Sequence, residues 1–441
     1  RYGEQLSISA PTFDEINNAL QQENNLIDNM MLNLVKVQLD NSKYDLVGFS
    51  VPFPGTLFGA LKCGEYIKKH YNTPVAIGGG YVNTELRELT DTKIFGYTDY
   101  ILFDDGELPL QRLTTYLSEK TDENKEKLVR TKYCENNIVI DSGNYDFNID
   151  FADLPAPDFS DLDFSKYVSF IEVTNPMHKL WSDGRWNKIT VAHGCYWAKC
   201  AFCDTSLDYI KRYEAPSATD VVDKMERIMA QTQISGFHFT DEALPPKLLR
   251  QIAQEIIDRK LCVSFWGNIR FEKTFTPELC ALLAEAGCIA VSGGIEVASD
   301  RVLKLINKGV TIEGAKKCCS AFADNGIMVH AYLMYGFPTQ TAQECVRSLD
   351  IIRGWFEEGI LQSAFWHRFA MTVHSPTGLN PEKYGCNIIG DLHNSFANNA
   401  IEFEEDSDVD WDAIGDGLRR ATSNYMHGLG FNIPLKKWIK L

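Results

Sequence analysis

The 441-residue sequence is short of positive charge and of long apolar runs. Lys and Arg number 43 against 60 Asp and Glu, a formal net charge of −17. A duplex nucleic acid, whose affinity comes from many phosphate contacts, is therefore a poor partner. Apolar runs such as Ile289–Val291 and Ile327–Val329 fall far short of the roughly 20 residues that cross a bilayer. No stretch reads as a signal peptide or lipid anchor, and there is neither a tandem repeat nor a low-complexity segment. The chain opens on Arg1 without a methionine, so an upstream stretch is expected to have been cut away.

What is present is ordinary for a protein with a sizeable core: 44% hydrophobic, 12% aromatic and 23% charged residues. At about 150 residues per domain the length suggests two to four domains. The twelve cysteines, without an export signal, read as reduced thiols or metal ligands sooner than as a disulfide framework.

Apolar residues recur at helical spacing from Phe13 to Leu39, and Asp45–Val51, Val75–Gly80 and Asp99–Phe103 read as short strands. Helical stretches near Leu57–Tyr71 and Thr84–Leu89 separate them. Such alternation implies parallel strands joined by crossovers, so residues 1–120 are expected to form a small doubly wound sheet with ligands beyond the strand C-termini. Pro52–Gly55, Gly78–Gly80 and Asp104–Glu107 fall at those ends. Residues 121–186, polar and then running through Leu154-Pro155-Ala156-Pro157, read as a linker.

A second alternation fills residues 187–385. Strands are expected at Ile189–Ala192, Ile234–Phe239, Cys262–Trp266, Cys288–Ser292, Met328–Met334 and Ser363–Thr372. Helices are expected at Thr219–Gln231, Pro246–Lys260, Pro277–Ala286, Ile312–Asn325 and Gln343–Glu358. Six strands with helical crossovers predict a partial (β/α)6 barrel with its chemistry at the strand C-terminal mouth. Residues 386–441 form a C-terminal extension to which the sequence assigns no role.

The sharpest motif, His193-Gly194-Cys195-Tyr196-Trp197-Ala198-Lys199-Cys200-Ala201-Phe202-Cys203, spaces three cysteines C-x4-C-x2-C just after the first strand of this second module. Thiolates packed this tightly suit a metal. On a four-iron cube, three thiolates leave one iron open, as catalysis needs. The motif by itself leaves two alternatives: a structural zinc with a fourth ligand such as His193, or three buried thiols.

Further motifs follow in order: Thr240-Asp241-Glu242, Gly294-Ile295-Glu296 with Lys308-Gly309, and Tyr335-Gly336-Phe337-Pro338. Taken together, from about Asp45 to Tyr384, the chain resembles a radical S-adenosylmethionine (SAM) enzyme of the group with an N-terminal cobalamin-binding domain. The resemblance implies a Rossmann-like cobalamin-type domain followed by the partial barrel. It implies one 4Fe-4S cluster on Cys195, Cys200 and Cys203, whose open iron is chelated by SAM. Phe202 matches the aromatic that packs on adenine, and Asp241 and Glu242 match the amino-binding motif. Glu296 matches a ribose or amino contact, and Gly336 and Pro338 match a segment whose backbone approaches adenine. Arg270, just past the third strand, has the two-donor fork that pairs with a carboxylate such as that of SAM.

Gly78, Gly79, Gly80, Gly106 and Glu107 resemble loops that face a corrin ring. The family's usual cysteine spacing is C-x3-C-x2-C, one residue shorter than here, and no Asp-x-His-x-x-Gly segment offers cobalt a lower ligand. The activity implied is reductive cleavage of SAM to a 5′-deoxyadenosyl radical, with cobalamin-dependent methyl transfer to an unactivated carbon. Its partners would be a small-molecule, peptide or lipid-precursor substrate and a low-potential electron donor such as flavodoxin or ferredoxin, in a reducing cytoplasm.

His238, His330, His367 and His374, with Tyr335 and Trp366, are expected on or beside the barrel strands, and no catalytic residue is singled out. The adjacent Cys318 and Cys319 diverge on a helix and read as core. Two rivals stand: a cobalamin-free radical SAM dehydrogenase, epimerase or cross-linking enzyme, and a non-enzymatic metal-binding sensor or scaffold.

Overall fold

Both alternations of strand and helix fold as separate α/β units. The computed structural model describes residues 10–146, 148–167, 175, 177, 180, 186–390 and 394–439. The first unit comprises Arg1–Ile149, Met371–His374 and Ile388–Glu402; the second comprises Asp150–Ala370, Ser375–Asn387 and Phe403–Leu441.

In the first unit β1 (Val47–Ser50), β2 (Val75–Gly78) and β3 (Tyr100–Leu102) run parallel in that order. Their C-terminal ends therefore lie along one edge of the sheet. β4 (Thr131–Glu135) and β5 (Ile138–Asp141) extend it antiparallel. These last two strands fall inside the stretch expected to be a linker. They pair through Asn136 and Asn137, whose φ angles of 51° and 59° are those of a tight hairpin turn that asparagine tolerates. Of the rest of that stretch, residues 147, 168–174, 176, 178–179 and 181–185 lie outside the described residues. The helix Leu26–Asp40 starts at a reciprocal cap between Asn25 and Asp28, and Pro54–His70 starts on its proline. The core of this unit, which includes Phe13, Val51, Leu61 and Ile77, is completed by Phe396 and Ala397 from the returning segment, both fully buried.

The second unit carries β6 (Asn187–Ile189), β7 (Gly236–Phe239), β8 (Ser264–Ile269), β9 (Cys288–Glu296), β10 (Met328–Tyr335) and β11 (Ser363–Arg368), each parallel to the next in chain order. Helices Ala218–Thr232, Pro246–Asp258, Pro277–Glu285, Ile312–Asp324 and Ala342–Glu357 lie between successive strands, close to the expected spans. Four of the five begin at a Ser or Thr whose side chain accepts a backbone N–H: Ser217, Thr276, Thr311 and Thr341. This is the partial (β/α)6 barrel. A short helix Asp300–Leu305 adds to it after β9.

The C-terminal extension divides between the units. Trp411–Tyr425 forms a helix packed on β11 and Ala342–Glu357, adding Trp411, Ile414, Leu418, Ala421 and Tyr425 to the barrel's core. The Trp366 indole N–H donates to Thr422 Oγ1 at 2.8 Å beneath it. Among the described residues no helix is long and apolar enough to cross a membrane.

Leu418 is fully buried, so Leu418→Ala is expected to cost the second unit about 2–5 kcal/mol. All eight tryptophans lie outside the first unit's segments, so a lowered urea midpoint followed by tryptophan fluorescence reports on the second unit alone. An unchanged midpoint would mean that this helix is not part of the folded core.

Candidate functional site

The cysteine loop follows β6 and is held by its backbone. His193 and Glu214 exchange N–H···O bonds of 2.8 and 3.2 Å, and the Cys195 N–H donates to Ile210 O at 3.1 Å. Gly194 is required there: its φ is +71°, and a Cβ would come within 1.9 Å of Arg212 O. The Ala201 N–H donates to Ile306 O at 2.9 Å, while Ala201 O accepts from the Thr377 hydroxyl at 2.7 Å. Ala198 takes the left-handed conformation, φ 45°, in the longer arm between Cys195 and Cys200. The additional residue of the C-x4-C spacing is thus absorbed by a turn within a loop fixed on both sides.

A cavity of about 320 Å³ opens against this loop, with Cys195, Cys200, Phe202 and Cys203 on one side and Glu242, Asn268, Arg270, Glu296, Lys308 and Tyr332 on the other. Seven of the expected site residues therefore meet. Glu296 reaches the cavity through an irregularity in the β9–β10 pairing, where Gly294 opposes Tyr332 but Glu296 opposes Leu333. It holds φ at +62°, a strained setting for a residue with a Cβ. Its carboxylate accepts from Lys308 Nζ at 2.6 Å, both groups buried. Gly294 makes room for the pair, since a Cβ there would lie 1.8 Å from Glu296 Oε1.

Lys308, of the Lys308-Gly309 motif, is a further cavity residue to which the sequence alone assigns no role. Burial alone would lower its pKa, yet Glu296 and Cys200 together raise it above the ordinary lysine value. The ammonium also lies 5.5 Å from the Phe202 ring centre. The Cys200 thiol is pulled down to about 6 by a hydrogen bond from Cys203, against burial and with help from Lys308 and Arg270.

Other expectations change. Arg270 is buried, with Nη1 on Cys200 Sγ at 3.9 Å and Nη2 on the Lys308 carbonyl oxygen. Its fork is thus already engaged by the protein, and a carboxylate partner has to share it. Asp241 does not line the cavity; its carboxylate accepts from the Val191 N–H at 3.0 Å and the Ala192 N–H at 2.7 Å. Burial pushes that carboxyl up to about 7 against the pull of the two amides. Its neighbour Glu242 does face the cavity, with its pKa raised by burial and by Asp204. Gly336 and Pro338 are not among the cavity walls; the Gly336 N–H donates to Gln340 Oε1 at 2.7 Å in a turn after β10.

The strand period places the remaining candidates. His238 sits on the inner face of the barrel, stacked on Trp266 at 3.7 Å and 4°, with Nδ1 2.9 Å from Lys188 Nζ. Burial and then Lys188 push it down to about 3, which keeps the ring neutral. His330 is on the same face, its Nδ1 2.7 Å from Ser363 Oγ, and His367 is exposed at the end of β11. Tyr335 and Trp366 point the other way, into the helical layer: the Tyr335 hydroxyl accepts from Arg419 at 3.1 Å, and Trp366 is the residue bonded to Thr422. His374 belongs to the first unit, with Nε2 3.0 Å from Thr84 O.

The donor set fits an iron–sulfur cluster. Three soft thiols share one loop, one has a lowered pKa, and two buried cations face them, as the negative charge of a thiolate-ligated cluster needs. It fits a zinc staple less well. His193, the expected fourth ligand, has Nδ1 2.8 Å from Arg212 O and Nε2 3.1 Å from the Arg212 guanidinium.

In the first unit the triple glycine serves packing. Gly79 has φ +107° and a Cβ would press to 3.0 Å on Val51, while one on Gly80 would lie 2.8 Å from Pro52 O. Gly106 and Glu107 are exposed at the start of the helix Glu107–Ser118. Gly79 and Gly80 are taken up by the Val51–Pro52 backbone and Gly78 faces Leu102 O, so these glycines do not form the open cradle that a corrin ring needs.

Asp241 is thus a positioning residue for the first cysteine. Asp241→Ala removes both acceptors, Asp241→Asn one, and each buried amide left bare costs about 1–3 kcal/mol. Iron retained per chain after anaerobic reconstitution should fall in the order wild type, Asn, Ala. The SAM affinity of the protein that still holds iron should be unchanged, and a selective loss of SAM affinity would instead make Asp241 a cofactor contact.

Residues 189–352 match the radical SAM superfamily. Over 211 residues the chain is 30% identical to the anaerobic magnesium-protoporphyrin IX monomethyl ester cyclase of Rubrivivax gelatinosus, covering 47% of this chain and 36% of that protein. Over 304 residues it is 25% identical to an uncharacterized methyltransferase of Pyrococcus horikoshii, covering 68% of this chain and 62% of that one. The chain thus spans between about a third and three fifths of the length of these curated relatives. Among solved structures, the radical SAM methyltransferase TsrM of Kitasatospora setae, with cobalamin and a 4Fe-4S cluster bound, matches with TM-score 0.64 at 16% identity over 89% of this chain and 81% of that one. The cobalamin-dependent SAM radical enzyme OxsB, with aqua-cobalamin and SAM bound, matches with TM-score 0.66 at 16% identity over 88% and 59%. The matched stretch holds the cysteine loop and its cavity, so residues 189–352 form a radical SAM enzyme domain, and the chain shares the fold that joins such a barrel to an N-terminal cobalamin-type domain.

Proposed function

We propose that this chain binds one 4Fe-4S cluster on Cys195, Cys200 and Cys203, cleaves SAM reductively in the adjoining cavity, and uses the product to act on an unactivated carbon of its substrate. The observation that carries this is the meeting of three thiols, Phe202, Glu242, Glu296 and Lys308 around one space. When bound, the cluster supplies the electron that splits SAM and leaves a carbon-centred radical able to take a hydrogen atom. The protein's part is placement and shielding.

Glu242 and Glu296 offer carboxylate oxygens to an ammonium and to ribose hydroxyls, while Lys308 offers a cation to a carboxylate. Phe202 presents an apolar face to a base. Asn268 is anchored by the Ser292 hydroxyl, which donates to its Oδ1, and its own amide donates to Asp241 O at 3.2 Å. That fixes its orientation at the cavity wall. Beyond the cavity the inner barrel face, with His238 neutral and the exposed Lys188, Thr190 and Thr240, presents hydrogen-bonding groups to a substrate. Iron–sulfur chemistry places the protein in a reducing, oxygen-poor compartment such as the cytoplasm.

For the outcome of the radical, the fold of the N-terminal unit and the methyltransferases among the relatives support cobalamin-dependent methyl transfer. One observation favours a second reading without cobalamin: the triple glycine is filled by the unit's own backbone.

On anaerobically reconstituted protein, near four irons per chain, and 5′-deoxyadenosine after dithionite and SAM, are expected. Cys195→Ala should lose both. Cobalt per chain together with S-adenosylhomocysteine would support methyl transfer, and deoxyadenosine without cobalt the second reading. Zinc in place of iron, with no SAM cleavage, would sink both.

A further inference from the structure

We propose that the outer side of the cysteine loop, centred on Trp197, is the docking surface for the electron donor, a small acidic one-electron carrier. The inference rests on the reading that the three cysteines hold a cluster that must be reduced, and it adds where and how the donor binds.

A second cleft of about 450 Å³ lies beside the loop, lined by Trp197, Phe271, Glu272, Lys273 and Val310 among others, and it shares no wall residue with the cluster cavity. Trp197 stands between the two spaces. Its indole N–H donates to Asn307 O at 2.9 Å, and its ring packs against Gly309, where a Cβ would come within 2.2 Å of it. The Arg270 guanidinium carbon is 4.6 Å from the ring centre, and Arg270 Nη1 is 3.9 Å from Cys200 Sγ. Unbroken contact therefore runs from a half-buried indole, through one buried cation, to a cluster ligand.

The charge around this indole runs against that of the chain. In a protein of net charge −17, Lys199 is exposed with Nζ 5.2 Å from the Trp197 ring centre, and Lys273 is exposed in the cleft. Lys304 is exposed on the short helix that leads to Asn307. Among the described residues none of these three makes an ion pair, whereas Lys316, Lys317 and Arg301 close by all do. The cleft's carboxylate, Glu272, lies 3.5 Å from Arg270 Nε and accepts the Thr274 hydroxyl, so its charge is answered from inside. An acidic partner is repelled by most of this molecule and attracted here, which selects both the face and the orientation of approach. One electron passes; the donor is oxidised by one unit and the cluster reduced by one, with no atom transferred.

The test uses the full chain, anaerobically reconstituted, and a recombinant flavodoxin with an acidic surface. Two double variants are compared, Lys273→Glu/Lys304→Glu on the cleft and the short helix beside it and Lys43→Glu/Lys120→Glu on the first unit, which change the net charge equally. Calorimetric titration of oxidised flavodoxin reads binding without turnover, and stopped-flow oxidation of its hydroquinone reads electron delivery. The cleft variant should bind and accept electrons about tenfold more slowly or weakly at low salt, with the difference shrinking at high salt. The first-unit variant should match wild type, and dithionite-driven SAM cleavage should be intact in all three. Equal loss in both variants, or none in either, overturns the docking surface while leaving SAM cleavage standing. Absence of dithionite-driven cleavage in wild type overturns the reading of the site itself.

Discussion

The mouth of the second unit depends on one buried ion pair, Lys308 with Glu296. With both side chains buried, neither charge is tolerable alone, and the worth of such a pair lies less in net stability than in the cost of losing one member. The pair explains residues that look unrelated in the sequence. Gly294 is bare because a side chain there would collide with it. Glu296 is held at a left-handed φ so that its carboxylate turns inward. Phe202 lies under the ammonium. Cys200, hydrogen-bonded by the Cys203 thiol and facing Lys308 and Arg270, is held toward its thiolate, while Cys203 keeps its proton. Acid, base, aromatic and thiol form one electrostatic unit.

Strain at the site is local and specific. Ala198 and Glu296 each adopt a conformation that costs a residue with a Cβ of the order of 1 kcal/mol or more. Both lie on the cavity rim, and each is pinned by neighbours on either side, Ala198 by the loop's backbone bonds and Glu296 by strand pairing and Lys308. One residue more than the family's spacing can therefore be carried in the cysteine loop without releasing its anchors.

Much of the fold was legible from periodicity alone, because the barrel strands are apolar runs broken by helices with clear caps. The cysteine loop and the acids after β7 and β9 were legible as motifs. Other features needed three dimensions. Asn136-Asn137 reads as polar linker unless one knows that both residues sit at positive φ in a hairpin. Tyr335 and Trp366 lie on the strands that carry His330 and His367, but the two-residue period of a strand sends them to the opposite face. That was computable once the strand registers were known. Asp241 and Glu242 are adjacent for the same reason in reverse: one had to turn into the protein for the other to turn out. Arg270 and Lys308 were in view as letters, yet only packing shows that the first is engaged by Cys200 while the second faces the space.

The path of the chain constrains its synthesis. Phe396 and Ala397, made after the six barrel strands, complete the core of the N-terminal unit, where the Phe396 ring lies 5.0 Å from that of Phe13. Domains commonly fold in order as they leave the ribosome, but this N-terminal unit cannot close its core until the barrel strands that separate its two parts have emerged. Its partly open form must persist while the barrel is translated. The length of the neighbouring barrel thus sets how long that core stays open on the ribosome.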